Sequence, residues 1–233
     1  MLGSLALAPA TTAGAAGVVA SNFATQSGSK IMSTALSAAR AMGSCTATST
    51  TTISGQVYSS VVNSATTSGQ QTLHIGAAVS VVKVIHATVY LNDNAVAIES
   101  QFGVSAPTLA GRWIAIDHTN SNFARFNAGI VMASLLSEIP PAGALKTTPT
   151  LVLNHTRVIG VYGRPNIHLG LASGTETVYV ALDGPHVPVE VVASDIVAGV
   201  RQTFIIHYSH WGTNFHLAAP STSLAFRATH LPQ

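Results

Sequence analysis

The chain contains ten histidines, and the densest group is His207-x-x-His210 with His216. That grouping invites a metal reading. The run around it alternates like a strand, however, and a spacing of three along a strand points two side chains to opposite faces. No cysteine partner and no HExxH helix accompany it. The histidines therefore read as scattered surface and loop residues, with no metal expected. Cys45 is the single cysteine, so no intrachain disulfide exists. Met42-Gly43-Ser44-Cys45 loosely matches a lipobox, but Arg40 interrupts the apolar run that a lipidation signal needs. The plainer reading is a small buried side chain at a strand start, and no partner to activate a thiol is visible. The eight acidic residues are dispersed, and Asp183 falls in an Asp-Gly turn. A G-x-S-x-G elbow and a phosphate-binding glycine loop are both missing. These absences read as a protein that is not an enzyme.

Composition narrows the class. Charged residues make up 8% of the 233 residues, against about 25% in ordinary soluble domains. Apolar residues reach 47% and mean hydropathy is +0.40. No stretch is long and apolar enough to read as a membrane-spanning helix. The apolar surplus is instead spread over short alternating segments, and it must be covered by an internal cavity, a partner or lipid. The net charge of +2 without a basic run argues against nucleic acid.

The elements that would position a site follow from periodicity. Thr175 to Pro220 reads as four consecutive antiparallel strands. Val178, Val180 and Leu182 alternate with Thr177, Tyr179 and Ala181. Asp183-Gly184 then turns the chain into Val187, Val189 and Val191. Phe204, Ile206 and Tyr208 form a third run. Trp211-Gly212 turns into Phe215 and Leu217. Upstream, residues 1–22 are Ala-rich and charge-free and read as a signal-peptide remnant or a flexible tail. Ser27 to Met42 is expected to be a helix with Ile31, Ala35, Ala38 and Met42 on one stripe, capped by Ser27 or Ser29. Cys45 to Ser54 suits a strand, and a hairpin loop is expected near Thr66 to Gly69. Ser80 to Leu91 reads as one long strand carrying Ile85, Ala87 and Val89 on one face. Asn92-Asp93-Asn94 then turns into a strand over Ala95 to Phe102. Gly111 to Ile116 is a short strand. Thr119 to Ser137 is a second helix, stopped by Pro140-Pro141. Leu151 to Leu171 holds two strands around Gly160 and Gly163, and residues 222–233 form a polar tail. Strands in series without parallel crossovers give an α+β fold with an extended antiparallel sheet.

Four of these segments, in order, resemble the actinobacterial, chiefly mycobacterial, LppX/LprF/LprG-type lipoproteins. They are the helix and Gly-Ser step into a Thr-rich strand (Ser33 to Thr52), GRWIAI before a helix, VIGVYGRPNIHL followed by ETVYVALDGPHVPVEVV, and YSHWGTNFHLAAP. The resemblance covers about Ser27 to Pro220. It implies a LolA-like half barrel over residues 23–221: a strongly curved antiparallel sheet covered by two or more helices, with an apolar cavity between. It implies an extracytoplasmic protein, secreted or in the cell envelope, that holds an acylated lipid or glycolipid and carries it through the envelope without any cofactor. A membrane surface and an envelope transporter would be further partners. The cysteine that would bear an anchor is missing from its place before the first helix.

The residues expected to line the cavity are Ile85, Ala87, Val89, Phe123, Phe126, Ile130, Val178, Val180, Phe204, Ile206, Phe215 and Leu217. An acyl chain buried against them gains about 25 cal/mol per Å² of apolar surface. The same alternation would equally serve a filled core in a secreted structural or interaction module with no ligand.

Overall fold

The computed structural model describes residues 22–53, 56–103, 105–166, 174–197 and 200–225. The strands are β1 (Ser44–Ile53), β2 (Gln56–Ala65), β3 (Ser68–Ile75), β4 (Ala78–Ile85), β5 (Thr88–Asp93), β6 (Ile114–Asp117), β7 (Ala142–Leu153), β8 (Thr156–Arg164), β9 (Thr175–Ala181), β10 (Pro188–Val197), β11 (Val200–Ser209) and β12 (Leu224–Ala225). The helices are α1 (Gly28–Met42), α2 (Ala95–Phe102), α3 (Phe123–Asn127) and α4 (Met132–Glu138).

All twelve strands form one sheet in the order β12-β6-β5-β4-β3-β2-β1-β11-β10-β9-β8-β7. Every neighbouring pair is antiparallel except the two-residue β12 beside β6. The chain runs outward from β1 to β5 by hairpins and adds β6. It then crosses to the far edge and returns by hairpins from β7 to β11, which pairs with β1. The sheet is a strongly curved half barrel that does not close, with β12 and β7 as its edges. This is the α+β architecture that the strand pattern and the family resemblance led us to expect.

Local chemistry explains α1. The Ser27 hydroxyl accepts from the Lys30 amide at 3.3 Å. Gly43 closes the other end at φ 74° and donates to the Arg40 carbonyl, in a left-handed backbone that glycine adopts at little cost. Ile31, Met32, Ala35 and Ala39 are buried, and Ala38 and Met42 pack at the margin. The small Ala face brings the helix close to the sheet.

Several expected elements differ. Ser80 to Leu91 is a hairpin, not one strand, because His86 takes φ 53° and turns the chain before Ala87. Two-residue loops with positive φ match the twist of antiparallel strands. Ala95 to Phe102 is α2 rather than a strand. The Asn94 side chain accepts from the Ala97 amide at 2.9 Å, so the polar triplet read as a turn is in fact a helix cap. The long second helix is two short ones. Gly129 takes φ 67° between them, and Ala128 is extended, which ends α3. In the C-terminal run, β9, β10 and β11 form as expected, but the chain from Thr213 to Ser223 forms no strand, so Phe215 and Leu217 lie outside the sheet. Residues Gly111 to Trp113 precede β6 rather than belong to it. Gly160 sits inside β8, whose turn is Asn154-His155. The polar tail contributes Leu224 and Ala225 to β12. Residues 1–21 and 226–233, and with them most of the expected signal remnant, lie outside the described residues.

Candidate functional site

The helices cover the concave face of the sheet in two patches. Under α1 and α4, one core joins Ile31, Ala35 and Leu136 to Val161, Val178 and Val180 of the sheet. Near the β6 edge, a second core joins Val84, Val89, Leu91 and Ile116 to Phe126 and Ile130. Phe102 and Phe123 pack against it half-buried. The Ile130 carbonyl comes so close to Gly69 on β3 that a Cβ there would sit 2.3 Å from it. A glycine at this point lets the loop between α3 and α4 lie directly on the strand.

A band of concave-face positions lies between and beyond these cores. The alternation set by buried Ala47, Val62 and Tyr208 puts Ser49, Ser60, Leu73, Phe204 and Ile206 on the same face. All five are only half-buried. Tyr58 and Ile75, paired across β2 and β3, continue the band toward a small cavity of about 20 Å³ beneath α2. The Gln71 amide donates to the Ser60 hydroxyl at 3.1 Å, so the polar atoms of the band are partly tied to one another. The band joins exposed apolar surface to a few hydroxyls without a basic or acidic side chain.

Ten of the twelve sequence-expected residues fall into four groups, while Phe215 and Leu217 lie outside the sheet. Val89, Phe126 and Ile130 meet in the second core, and Phe123 packs at its edge. Val178 and Val180 are fully buried in the first core. Phe204 and Ile206 stand on the open band. Ile85 pairs with Thr88 on the face opposite Val84 and Val89, and Ala87 is an exposed turn residue, so neither shares a face with Val89. The missed contributors are Tyr58, Leu73 and Ile75. Their signal was the apolar alternation of β2 and β3, hidden among Ser, Thr and Gln.

Buried ionisable groups flank the face. Glu176 is 0% exposed. One of its oxygens accepts from the Asn166 amide at 2.6 Å, and the other finds no donor among the described residues. Burial pushes its carboxyl up to about 7, against the Asn166 bond that favours the charged form. The Asn166 side chain donates to the carbonyls of Ser137, Glu138 and Pro140, tying the end of α4 to the strand that Glu176 belongs to. In the other half, Asp93 faces Ser80 across β4 and β5, and burial pushes it up to about 6, opposed by the Ser80 hydroxyl. Cys45 is fully buried beside the Met132 sulfur at 3.8 Å, and burial raises its thiol to about 12. It is the inert core residue of the plainer reading. No cluster of three or more metal-ligating side chains forms among the described residues.

No family model matches the chain, and no curated protein matches it. Solved structures do. LprF from Mycobacterium bovis aligns with a TM-score of 0.50 at 12% identity, covering 84% of this chain and 97% of that one. An uncharacterized conserved protein from Thermus thermophilus gives 0.48 at 11%, covering 87% and 99%. A DUF1329 family protein from Desulfovibrio piger gives 0.32 at 9%, covering 89% and 100%. At these identities the likeness is one of fold: the chain is built as LprF is, on an open half-barrel sheet with helices across its concave face.

Proposed function

We propose that the protein binds the acyl part of a lipid or glycolipid on its concave face and carries it in an extracytoplasmic compartment, without catalysis. The observation that carries this reading is the half-exposed band of Tyr58, Leu73, Ile75, Phe204 and Ile206 between two helix-covered cores. Each methylene withdrawn from water there gains about 0.8 kcal/mol. The absence of charge on the band suits an alkyl chain, and the Ser49 and Ser60 hydroxyls suit an ester or hydroxyl near its head. The fold likeness to LprF supports the same reading, together with the sequence resemblance to the mycobacterial lipoproteins.

The experiment is direct. Protein purified from a bacterial cell envelope is extracted with organic solvent and the extract analysed by mass spectrometry. Acyl lipid in stoichiometric amount is expected. In parallel, a fluorescent fatty acid is titrated into wild type and Leu73→Glu, a half-buried position outside both cores. Affinity is expected to fall at least tenfold. A clean extract with unaltered probe binding would instead favour a ligand-free interaction module.

A further inference from the structure

We infer that the convex face carries a second, separate site, for a neutral polyhydroxylated group such as a sugar ring. A pocket of about 390 Å³ lies where the β7–β8 turn meets the ends of β10 and β11 and the middle of β1, bordered also by Tyr208 and Ser209. Its size falls within the roughly 300–1,000 Å³ of small-molecule sites. Strand alternation places it: Thr48, His207 and Glu190 are direct cross-strand neighbours on β1, β11 and β10. The next residues along, Ala47, Tyr208 and Val191, belong to the buried core under α1. The row therefore faces away from the concave side, opposite the acyl band.

Two features build this pocket. Asn154 and His155 both adopt left-handed backbone, at φ 47° and 66°, which turns the hairpin tightly and leaves Leu153, Asn154 and Thr156 as a wall. An irregularity in pairing between Pro188 and Glu190 shifts the register of β10 at the floor. Bulges of this kind re-aim a side chain, and here the half-buried Glu190 lies 3.0 Å from His207 Nδ1. Nδ1 faces that carboxylate, and Nε2 is the ring's second hydrogen-bonding atom.

The chemistry of the lining selects the ligand. No Lys or Arg lines the pocket, and Glu190 is acidic, so phosphate and carboxylate ligands are disfavoured. A bare alkyl chain would strip water from the Thr48 and Thr156 hydroxyls, the Asn154 amide and Glu190 without replacing it. A quaternary ammonium would want an unshared carboxylate and an aromatic cage, whereas Glu190 is engaged by His207. What remains is a ligand that both donates and accepts at several adjacent points. Sugar hydroxyls do this: they donate to Glu190, pair with His207 Nε2 as donor or acceptor, and accept from the Asn154 amide and the threonine hydroxyls. Leu153 and Val189 offer the apolar surface that a sugar ring's C–H face covers.

The test uses the full chain, isotope-labelled for NMR, titrated with methyl glucoside, methyl mannoside, N-acetylglucosamine and maltose. Choline and inorganic phosphate serve as controls. Saturable millimolar binding of at least one sugar is expected, with amide shifts centred on Thr48, Glu190 and His207. Glu190→Gln and Thr48→Val should each weaken it at least tenfold while leaving the thermal midpoint and fatty-acid binding unchanged. Thr48→Val keeps the side-chain shape, so it still reports if the Glu190 variant folds poorly. The proposal is overturned if no sugar saturates, if choline or phosphate binds more tightly than every sugar, or if shifts map to the concave face. Sugar binding left intact in a folded variant overturns it equally. Because fatty-acid binding is read separately, failure here is distinct from failure of the acyl-binding proposal.

Discussion

The two ends of the half barrel bury their concave faces by different means. The β8–β11 half lies mainly under the fifteen-residue α1, fixed by a side-chain cap at one end and a glycine at the other, with α4 beside it. Fully buried Ala35 and Ala39 let that helix sit close, and branched side chains such as Ile31 and Val178 fill the remaining space. The β3–β6 half has only short helices, of which the eight-residue α2 packs on β4 and β5 with Ala97 and Ile98 buried. Phe126 and Ile130 are presented by a five-residue helix and the loop after it, and plug the sheet from above. A rigid rod covers continuously, whereas a loop covers only where its large side chains land. The open band lies on those parts of β1, β2, β3 and β11 that neither device reaches. Incomplete cover is thus a consequence of how the second half is packed, and it supplies the apolar surface that the acyl-binding proposal uses.

This contrast is testable in stability. Ile31→Ala and Ile130→Ala both empty a fully buried site, and such truncations cost about 2–5 kcal/mol. Ile31→Ala is expected near the top of that range, about 4 kcal/mol, because the pinned helix cannot collapse into the void. Ile130→Ala is expected near the bottom, about 2 kcal/mol, because the loop can settle. Urea unfolding of both variants measures the difference, and equal losses would show that the two covers are equally rigid.

Asp93 in one half and Glu176 in the other are buried carboxylates that sharpen the comparison through pH. Glu176 is raised from 4.5 to about 7 and Asp93 from 3.8 to about 6. A raised carboxyl binds its proton more tightly in the folded state. The stability it contributes is therefore complete below the unfolded value and is lost as pH rises through the folded value. Stability should fall between about pH 3.8 and 6 through Asp93 and between about 4.5 and 7 through Glu176. The upper bound is about 3 kcal/mol for each group. Asp93→Asn should remove the lower part of the slope and Glu176→Gln the upper part, measured as unfolding midpoints from pH 4 to pH 8. A slope unchanged by both substitutions would mean that water or a rearranged side chain satisfies the carboxylates.

The smallest expected difference is between the helix caps. Ser27→Ala removes one bond to the Lys30 amide and should cost about 1 kcal/mol. Asn94→Ala should cost about 2 kcal/mol, because Asn94 also accepts from the Val79 amide and donates to the Ala77 carbonyl, linking α2 to β4 and the turn before it. Thermal denaturation of both variants ranks them.

Much of the architecture was legible. Ser27, the small-residue stripe and Gly43 specify α1 within its own segment, and the valine alternation from Val178 to Val191 specifies β9 and β10. Misreadings arose where one residue has two local uses. Asn94 reads equally as turn or cap, and its partners Val79 and Ala77 are distant in sequence. His86 carries no Gly or Pro to announce a turn, so the apolar alternation ran through it and placed Ile85 beside Val89 when they face opposite ways. A one-residue turn error reverses every following side chain. The acyl band was half legible: Phe204 and Ile206 stood out, whereas Leu73 and Ile75 were masked by polar neighbours.

The sequence alone therefore determined what is settled between near neighbours: a long capped helix, strands with one apolar side, an α+β chain poor in charge. Tertiary structure decided which of those apolar sides are covered. The pairing of β11 with β1 joins segments more than 150 residues apart, and the loop over Gly69 rests on a contact 61 positions away. Alternation along a strand is a local steric property. Exposure depends on which distant segment arrives to cover the strand, and no local pattern records that.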